Sequence, residues 1–413
     1  MTDDSATPSA ADQAIAERAR RIRTRRGLSL EQAAGLAGIG KSYLSKLETG
    51  QRRFIRRGLV EDIAQALSCS VTDLTGQPYL PPDRESADAL ATLPDIRQAL
   101  YDTTLDDVPD LPARPVEVLA ALAAQTNAYT DQTLYALAGR GLGALLTELH
   151  VHAATGDEQT RLAALTALVE ACLAAAGTAR HLGHPDLAVH AARRGYDAAR
   201  LTGDPALIAF AAMQRASALS RIGARRRAGV IRTGALTALE AHADPSVSDT
   251  RPAEAVGTLY LGDAQLAARE GRGADADAYL AHAAELAERT GERNFLSFHF
   301  GPANVAAWRL AAAVELGNGP AAAERLDGAD EVFNALGSAT RRGRLHLDLA
   351  RAYAQAEGSR DGEAVRHLDA ADRTAPVRVR NDPIARELVL GLDSRAQRRV
   401  WELESLKNRL GVA

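Results

Sequence analysis

The chain of 413 residues carries 49 Lys and Arg against 53 Asp and Glu, a net charge of −4, and only 4% of it is aromatic. That length points to two or three domains with ample material for a buried core, and the abundance of Ala, Leu and Arg beside few aromatics points to packed helices, an all-α class, rather than a sheet. Two cysteines in separate predicted domains, Cys69 and Cys172, argue against a disulfide framework, and the absence of an apolar run of membrane length or a leader-like start points to a cytoplasmic protein with no membrane partner.

Residues 1–14 are acidic and small and read as a disordered tail, after which residues 15–76 form the first domain. Ser29 with Gln32 makes a capping box, and Leu30, Ala33, Ala34 and Ala37 give a slim apolar face. Gly38-Ile39-Gly40 is the turn, and Lys41 to Glu48 is a second helix with Leu44 and Leu47 inward and Gly50 at its end. Between residues 15 and 60 twelve basic residues face three acids, although the whole chain is acidic. Such a split is the electrostatic footprint of a nucleic-acid-binding head on a body that phosphate repels.

Ile39, Ser42, Leu44, Ser45, Leu47, Glu48 and Gly50 follow the order of the five-helix, repressor-type helix-turn-helix module, so residues 15–75 resemble the Xre and lambda-repressor family. Gly40 stands where a capping Ser is usual, and Leu30 where many members carry a DNA-contacting Gln. The resemblance implies a homodimer that sets two recognition helices in successive major grooves of a partly palindromic DNA operator. Lys41, Ser42, Tyr43, Ser45 and Lys46 then meet base edges and phosphates; Arg26, Gln32, Arg52 and Arg53 track the backbone.

A linker follows over residues 77–115, with Pro78, Pro81 and Pro82 followed by a connecting helix and a second proline-marked break from Val108 to Pro115. From residue 116 to the end the chain repeats a pattern. A Gly precedes by five or six residues an Ala with small or apolar groups at +4 and +7: Gly183 with Ala188, Gly271 with Ala276, Gly317 with Ala322, Gly358 with Ala364, and a unit from Gly223 and Ala228 degraded at Arg232. A turn glycine followed by small crossing residues is the logic of helical-hairpin solenoids, and the body resembles a lengthened tetratricopeptide (TPR) repeat.

Residues 294–309 break the Ala-Leu-Arg monotony. There Phe298, Phe300, Asn304, Trp308 and Arg309 form a candidate ligand site, an aromatic wall with amide and guanidinium donors. The overall layout resembles the quorum-sensing peptide receptors of Gram-positive bacteria, which implies a peptide signal; a small molecule fits the same residues. Ser394 to Leu410 reads as a helix whose Val400, Leu403, Leu406 and Leu410 stripe caps the solenoid or joins a dimer seam. No phosphate-binding loop or zinc-helix pattern is present, and His181, His184 and His190 straddle a turn, so the chain is expected to be no enzyme and to need no metal or cofactor. These features together predict a DNA-binding transcription regulator with a dimerising, signal-sensing body. The alternative is a DNA-tethered scaffold whose body binds a protein partner.

Overall fold

Local signals start and stop the helices of the head. The computed structural model describes residues 14–326, 330–396 and 400–412, so the expected tail falls, apart from Ala14, outside the described residues. Five helices make the head: α1 (Ile15–Arg25), α2 (Leu30–Leu36), α3 (Lys41–Glu48), α4 (Arg57–Ala66) and α5 (Val71–Thr75). Ser29 Oγ accepts from the Gln32 N–H at 3.1 Å and Gln32 Oε1 from the Ser29 N–H at 2.9 Å, closing the capping box. Gly38 turns the chain at a φ of 67°, in the left-handed region that glycine tolerates best. Arg23 grips Glu48 through two bonds of 2.7 and 2.8 Å, tying α1 to the end of α3.

The chain is 75% helical with no strand among the described residues, which is the expected all-α class. The proline-rich stretch after α5 is non-helical as far as Asp83, but it does not hold the head apart from the body. Asp83 caps α6 (Arg84–Leu90), and this helix with α7 (Leu93–Asp102) inserts Ala89, Leu93, Ile96 and Leu100 into the largest core of the body. Within the region expected as linker and connecting helix, two helices rather than one pack into the body.

The body continues through α8 (Val116–Asp131), α9 (Tyr135–Gly139) and α10 (Leu142–Thr155) into consecutive hairpins. These are α11 (Glu158–His181) with α12 (Pro185–Thr202), α13 (Pro205–Arg221) with α14 (Arg225–Leu239), and α15 (Arg251–Arg269) with α16 (Gly273–Thr290). α17 (Pro302–Leu316), α18 (Gly319–Glu324) and α19 (Asp330–Ala335) precede the hairpin of α20 (Ala339–Ala354) with α21 (Asp361–Thr374). All five predicted turn glycines, Gly183, Gly223, Gly271, Gly317 and Gly358, have positive φ. The alanines beyond them are buried at Ala188, Ala228, Ala276 and Ala364, whereas after Gly317 the buried residue is Ala323 rather than Ala322. Arg232, which interrupts the second unit, is buried and paired with Asp263 at 2.5 Å. A helix of membrane-spanning length and apolarity does exist, contrary to the sequence reading: α11, whose most apolar stretch is 78% buried inside the protein. Its alanines serve the core, since α12 crosses so closely that a Cβ on Gly195 would stand 2.9 Å from Cys172 Cβ.

The array curls back on itself. Ser338 Oγ donates to Asp131 Oδ1 at 2.5 Å, Thr340 Oγ1 to Thr130 O at 3.2 Å, and His299 Nε2 meets Asp131 Oδ2 at 2.8 Å, so α20 and residues 295–300 close onto α8 around a central cavity. At the C-terminus α22 (Pro376–Arg380) and α23 (Pro383–Arg395) lead into α24 (Trp401–Leu410). The helix expected from Ser394 is interrupted at Ala396. Leu403, Leu406 and Leu410 are buried in the protein's own core and Val400 is half-buried against it, so this stripe closes the body.

Candidate functional site

One face of the head is open and the opposite face is anchored. On α3, Leu44, Leu47 and Glu48 are buried while Lys41, Ser42 and Lys46 are exposed. Ser45 is half-buried, and Tyr43 is half-buried against the head core, so its ring belongs partly to packing. Lys41 lies 3.6 Å from Glu31, with both side chains largely in solvent. Gln32 is engaged as the α2 cap, and exposed Arg26 donates to Ser68 O at 2.5 Å. Arg52 and Arg53 lie where the head meets the body. Arg52 pairs with Glu357 of the body at 2.5 Å, and half-buried Arg53 packs its stem against Gly391 of α23. Arg52 remains exposed in this surface pair, with its side chain 45% accessible. Arg20, Arg25 and Arg26 remain exposed on the head.

Behind this face, α4 is seated in the body by buried charge. Arg57 Nη2 pairs with Asp382 at 2.5 Å. Glu315, near the end of α17, accepts from the Arg57 and Gly58 N–H groups at 3.3 and 3.2 Å and from Arg351 Nη2 at 2.7 Å. Accepting at the first N–H groups of α4 places a carboxylate where the helix dipole favours it. Glu61 receives Arg225 at 2.7 Å and Arg269 at 3.0 Å. Burial would raise Glu315, but Arg351, Arg269 and Arg57 reverse this and hold it at about 2. The approach is close: a Cβ on Gly58 would stand 2.7 Å from Arg269 O. Ile384 of α23 completes the head's own core. None of this joint was anticipated from sequence, although charged residues among alanines, such as Glu315 after Ala311 and Ala312, were the available signal.

The central cavity has a volume of about 220 Å³, many times the roughly 10–15 Å³ that one buried water needs. Of the predicted ligand residues, Phe298, Asn304 and Trp308 line it. Phe300 does not; it is fully buried, its ring pressed onto Gly257, and serves as core. Arg309 is exposed and does not line the cavity, because it falls on the outer side of α17. Asn304 Nδ2 points to Phe298 O at 3.4 Å and steadies the adjoining loop. In that loop Leu296, Ser297 and His299 have φ of 51°, 62° and 51°, a cluster of left-handed non-glycine residues at the cavity wall. Strain of this kind persists only where the surroundings impose it and gathers at functional sites.

Sequence reasoning missed the rest of the wall. Seven arginines and two aspartates line the cavity, contributed by α8, α11, α13, α14, α15, α20 and α22. Burial lowers Arg341 to about 10 and Arg378 to about 9, and drives His181 well below its usual value so that its ring is neutral. His190, one of the three turn histidines, stacks on Tyr101 and bonds Leu100 O instead.

Residues 14–75 match the helix-turn-helix domain family. No curated protein and no solved structure matches the chain.

Proposed function

We propose that this chain, a helix-turn-helix domain followed by a helical body, is a sequence-specific transcription regulator of the Xre type that acts in the cytoplasm as a homodimer on a partly palindromic operator, and that its TPR-like body senses a small molecule. One observation carries this: α3 presents Lys41, Ser42 and Lys46 to solvent while α4, on the far side of the head, is clamped by the body. In this reading two heads meet successive major grooves about 34 Å apart, with Ser42 and Lys46 toward base edges and Arg20, Arg25 and Arg26 toward phosphates. A concave cavity of about 220 Å³ favours a small signal over a protein partner, which would need a long polar surface.

The route from cavity to head is short. Helix α17 carries Asn304 and Trp308 on the cavity wall and Glu315 at the head. Arg269 lines the cavity and also grips Glu61. A ligand that moves either element changes the seat of α4, and it shifts the balance only by its different affinity for the two seats. No catalytic step is assigned to these residues.

Genome-wide mapping of bound DNA tests the reading, comparing the wild type with a Ser42→Ala, Lys46→Glu variant whose changes lie on exposed positions. Discrete peaks with a shared, partly palindromic motif, absent in the variant, are the expected result. Diffuse occupancy unaffected by the substitutions would overturn it.

A further inference from the structure

The cavity holds more positive charge than the protein neutralises. Of its seven arginines, Arg232 pairs with Asp263 at 2.5 Å, Arg269 with Glu61 at 3.0 Å and Arg344 with Asp348 at 2.5 Å. Arg180, Arg221, Arg341 and Arg378 have no carboxylate partner among the described residues. Arg180 Nη2 reaches the neutral His181 ring at 3.1 Å, Arg341 Nη2 donates to Phe298 O at 2.9 Å, and Arg378 Nη1 donates to Thr340 O at 2.8 Å. Arg221 donates to no described group, and Asp382, whose field reaches it, is held by Arg57.

The two acids on the wall give little relief: Asp131 acts on Arg341 through space without an ion pair. Asp131 is engaged by His299 and Ser338, and Asp348 by Arg344 and Arg351. Several buried donors also lack partners: Nε of Arg180 and of Arg341, Nη2 of Arg232, and Nε2 of Gln265, whose residue is 8% exposed. Isolated buried ions cost many kcal/mol, and arginine does not escape by losing its proton, so an excess of this kind calls for counter-charge. Water can solvate guanidinium groups but cannot neutralise them.

From this we infer that the cavity binds a small, multiply charged anion of the phosphate-ester class through Arg180, Arg221, Arg341 and Arg378, with an apolar or planar portion against Trp308 and Phe298. Phosphate suits guanidiniums arriving from several helices, because its oxygens accept from tetrahedral directions, while a carboxylate is satisfied by one planar fork. Trp308 and Phe298 supply the apolar wall that free phosphate does not need. Arg180, His181, Arg221 and Arg378 also wall a second cavity of about 60 Å³ whose far side is Arg57, Glu61 and Thr72 of the head. The anion-binding layer is therefore also the floor on which the head rests. This inference rests on the reading of the body as a sensor and names the class of its ligand.

Thermal unfolding of the full chain tests it, with pyrophosphate, ADP, citrate and sulfate as probes at matched ionic strength. Pyrophosphate at saturating concentration is expected to raise Tm by about 5 °C, ADP by at least as much, and citrate and sulfate by far less. Arg221→Met and Arg341→Met each remove an unneutralised, half-buried charge, so each is expected to melt no lower than the wild type without ligand and to weaken pyrophosphate at least about tenfold. Lys46→Glu, on the DNA-facing helix, is expected to keep the full shift.

Absence of a shift in the wild type overturns the inference. So does a shift that survives both methionine variants but is lost in Lys46→Glu, which would place the anion on the DNA-facing surface. Citrate equalling pyrophosphate would overturn the phosphate assignment. Methionine variants that melt lower yet respond fully would show a purely structural role for these arginines. Operator binding is measured on the same preparations: a wild type that binds DNA and ignores every anion refutes this inference while the regulator reading stands.

Discussion

Replacing Glu315 by Gln removes one negative charge from the joint between head and body while keeping the side chain's size. In the wild type the carboxylate is 1% exposed and accepts from Arg351 and from the Arg57 and Gly58 N–H groups. Its pKa lies at about 2 against an ordinary 4.5, and at roughly 1.4 kcal/mol for each factor of ten the difference is worth about 3 kcal/mol of folding stability at neutral pH. Because the folded pKa is the lower one, this stability is present above pH 4.5 and is lost as pH falls toward 2. Urea unfolding of wild type and Glu315→Gln at neutral pH, then at steps down from pH 5, measures it. The expected gap is about 3 kcal/mol at pH 7, closing through the acid range. A gap below about 1 kcal/mol at pH 7, or one that stays constant from pH 5 to pH 2, would refute the assignment of Glu315 as an ionised latch.

Three further outcomes are expected. Gly58→Ala drives a methyl group into Arg269 O and costs about 1–3 kcal/mol, whereas Gly35→Ala, with nothing within 4 Å, leaves stability unchanged or raised; thermal unfolding compares them. His150 is buried, with Nδ1 bonded to Leu146 O and Nε2 to Arg194, and burial together with Arg194 lowers it to about 4 from 6.5. The unfolded ring takes its proton first, so the fold loses about 3 kcal/mol as pH falls from 6.5 toward 4, and in His150→Leu urea unfolding is flatter across that window. Leu406→Ala opens the core beneath α24, where Leu406 is fully buried, and costs about 2–5 kcal/mol; sedimentation is expected to show the same oligomeric state as the wild type, since this stripe faces inward.

What the sequence disclosed was what neighbouring residues settle among themselves. Ser29 and Gln32 cap a helix three residues apart, and Gly183 or Gly271 turns a hairpin by its own backbone freedom. Pairs far apart in sequence left no comparable trace. Ile15 N donates to Glu387 at 2.8 Å and Arg57 meets Asp382, yet 372 and 325 residues separate them. Arg53 and Arg57 looked alike as basic residues after the recognition helix, and only the position of the body distinguishes them from the exposed Arg20, Arg25 and Arg26. The aromatic segment was visible as an anomaly of composition, but it marked only one wall of the cavity. The arginines on the other walls belong to helices whose composition is rich in Arg throughout.

The fit of α4 against Arg269 bears on how this protein can be taken apart. A head cut free after residue 76 would bring Arg57 and Glu61 into water without Asp382 or Arg269 and would lose Ile384 from its core. The body left behind would keep Glu315 and Arg351 without the backbone N–H and carbonyl groups they bind. Helix-turn-helix domains are commonly treated as cassettes that can be exchanged between regulators. Here a side chain at position 58 runs into Arg269 O, and its neighbours answer to charges on five other helices, so a transplanted head arrives without its seat and a chimera must carry the joint as well as the reading helix.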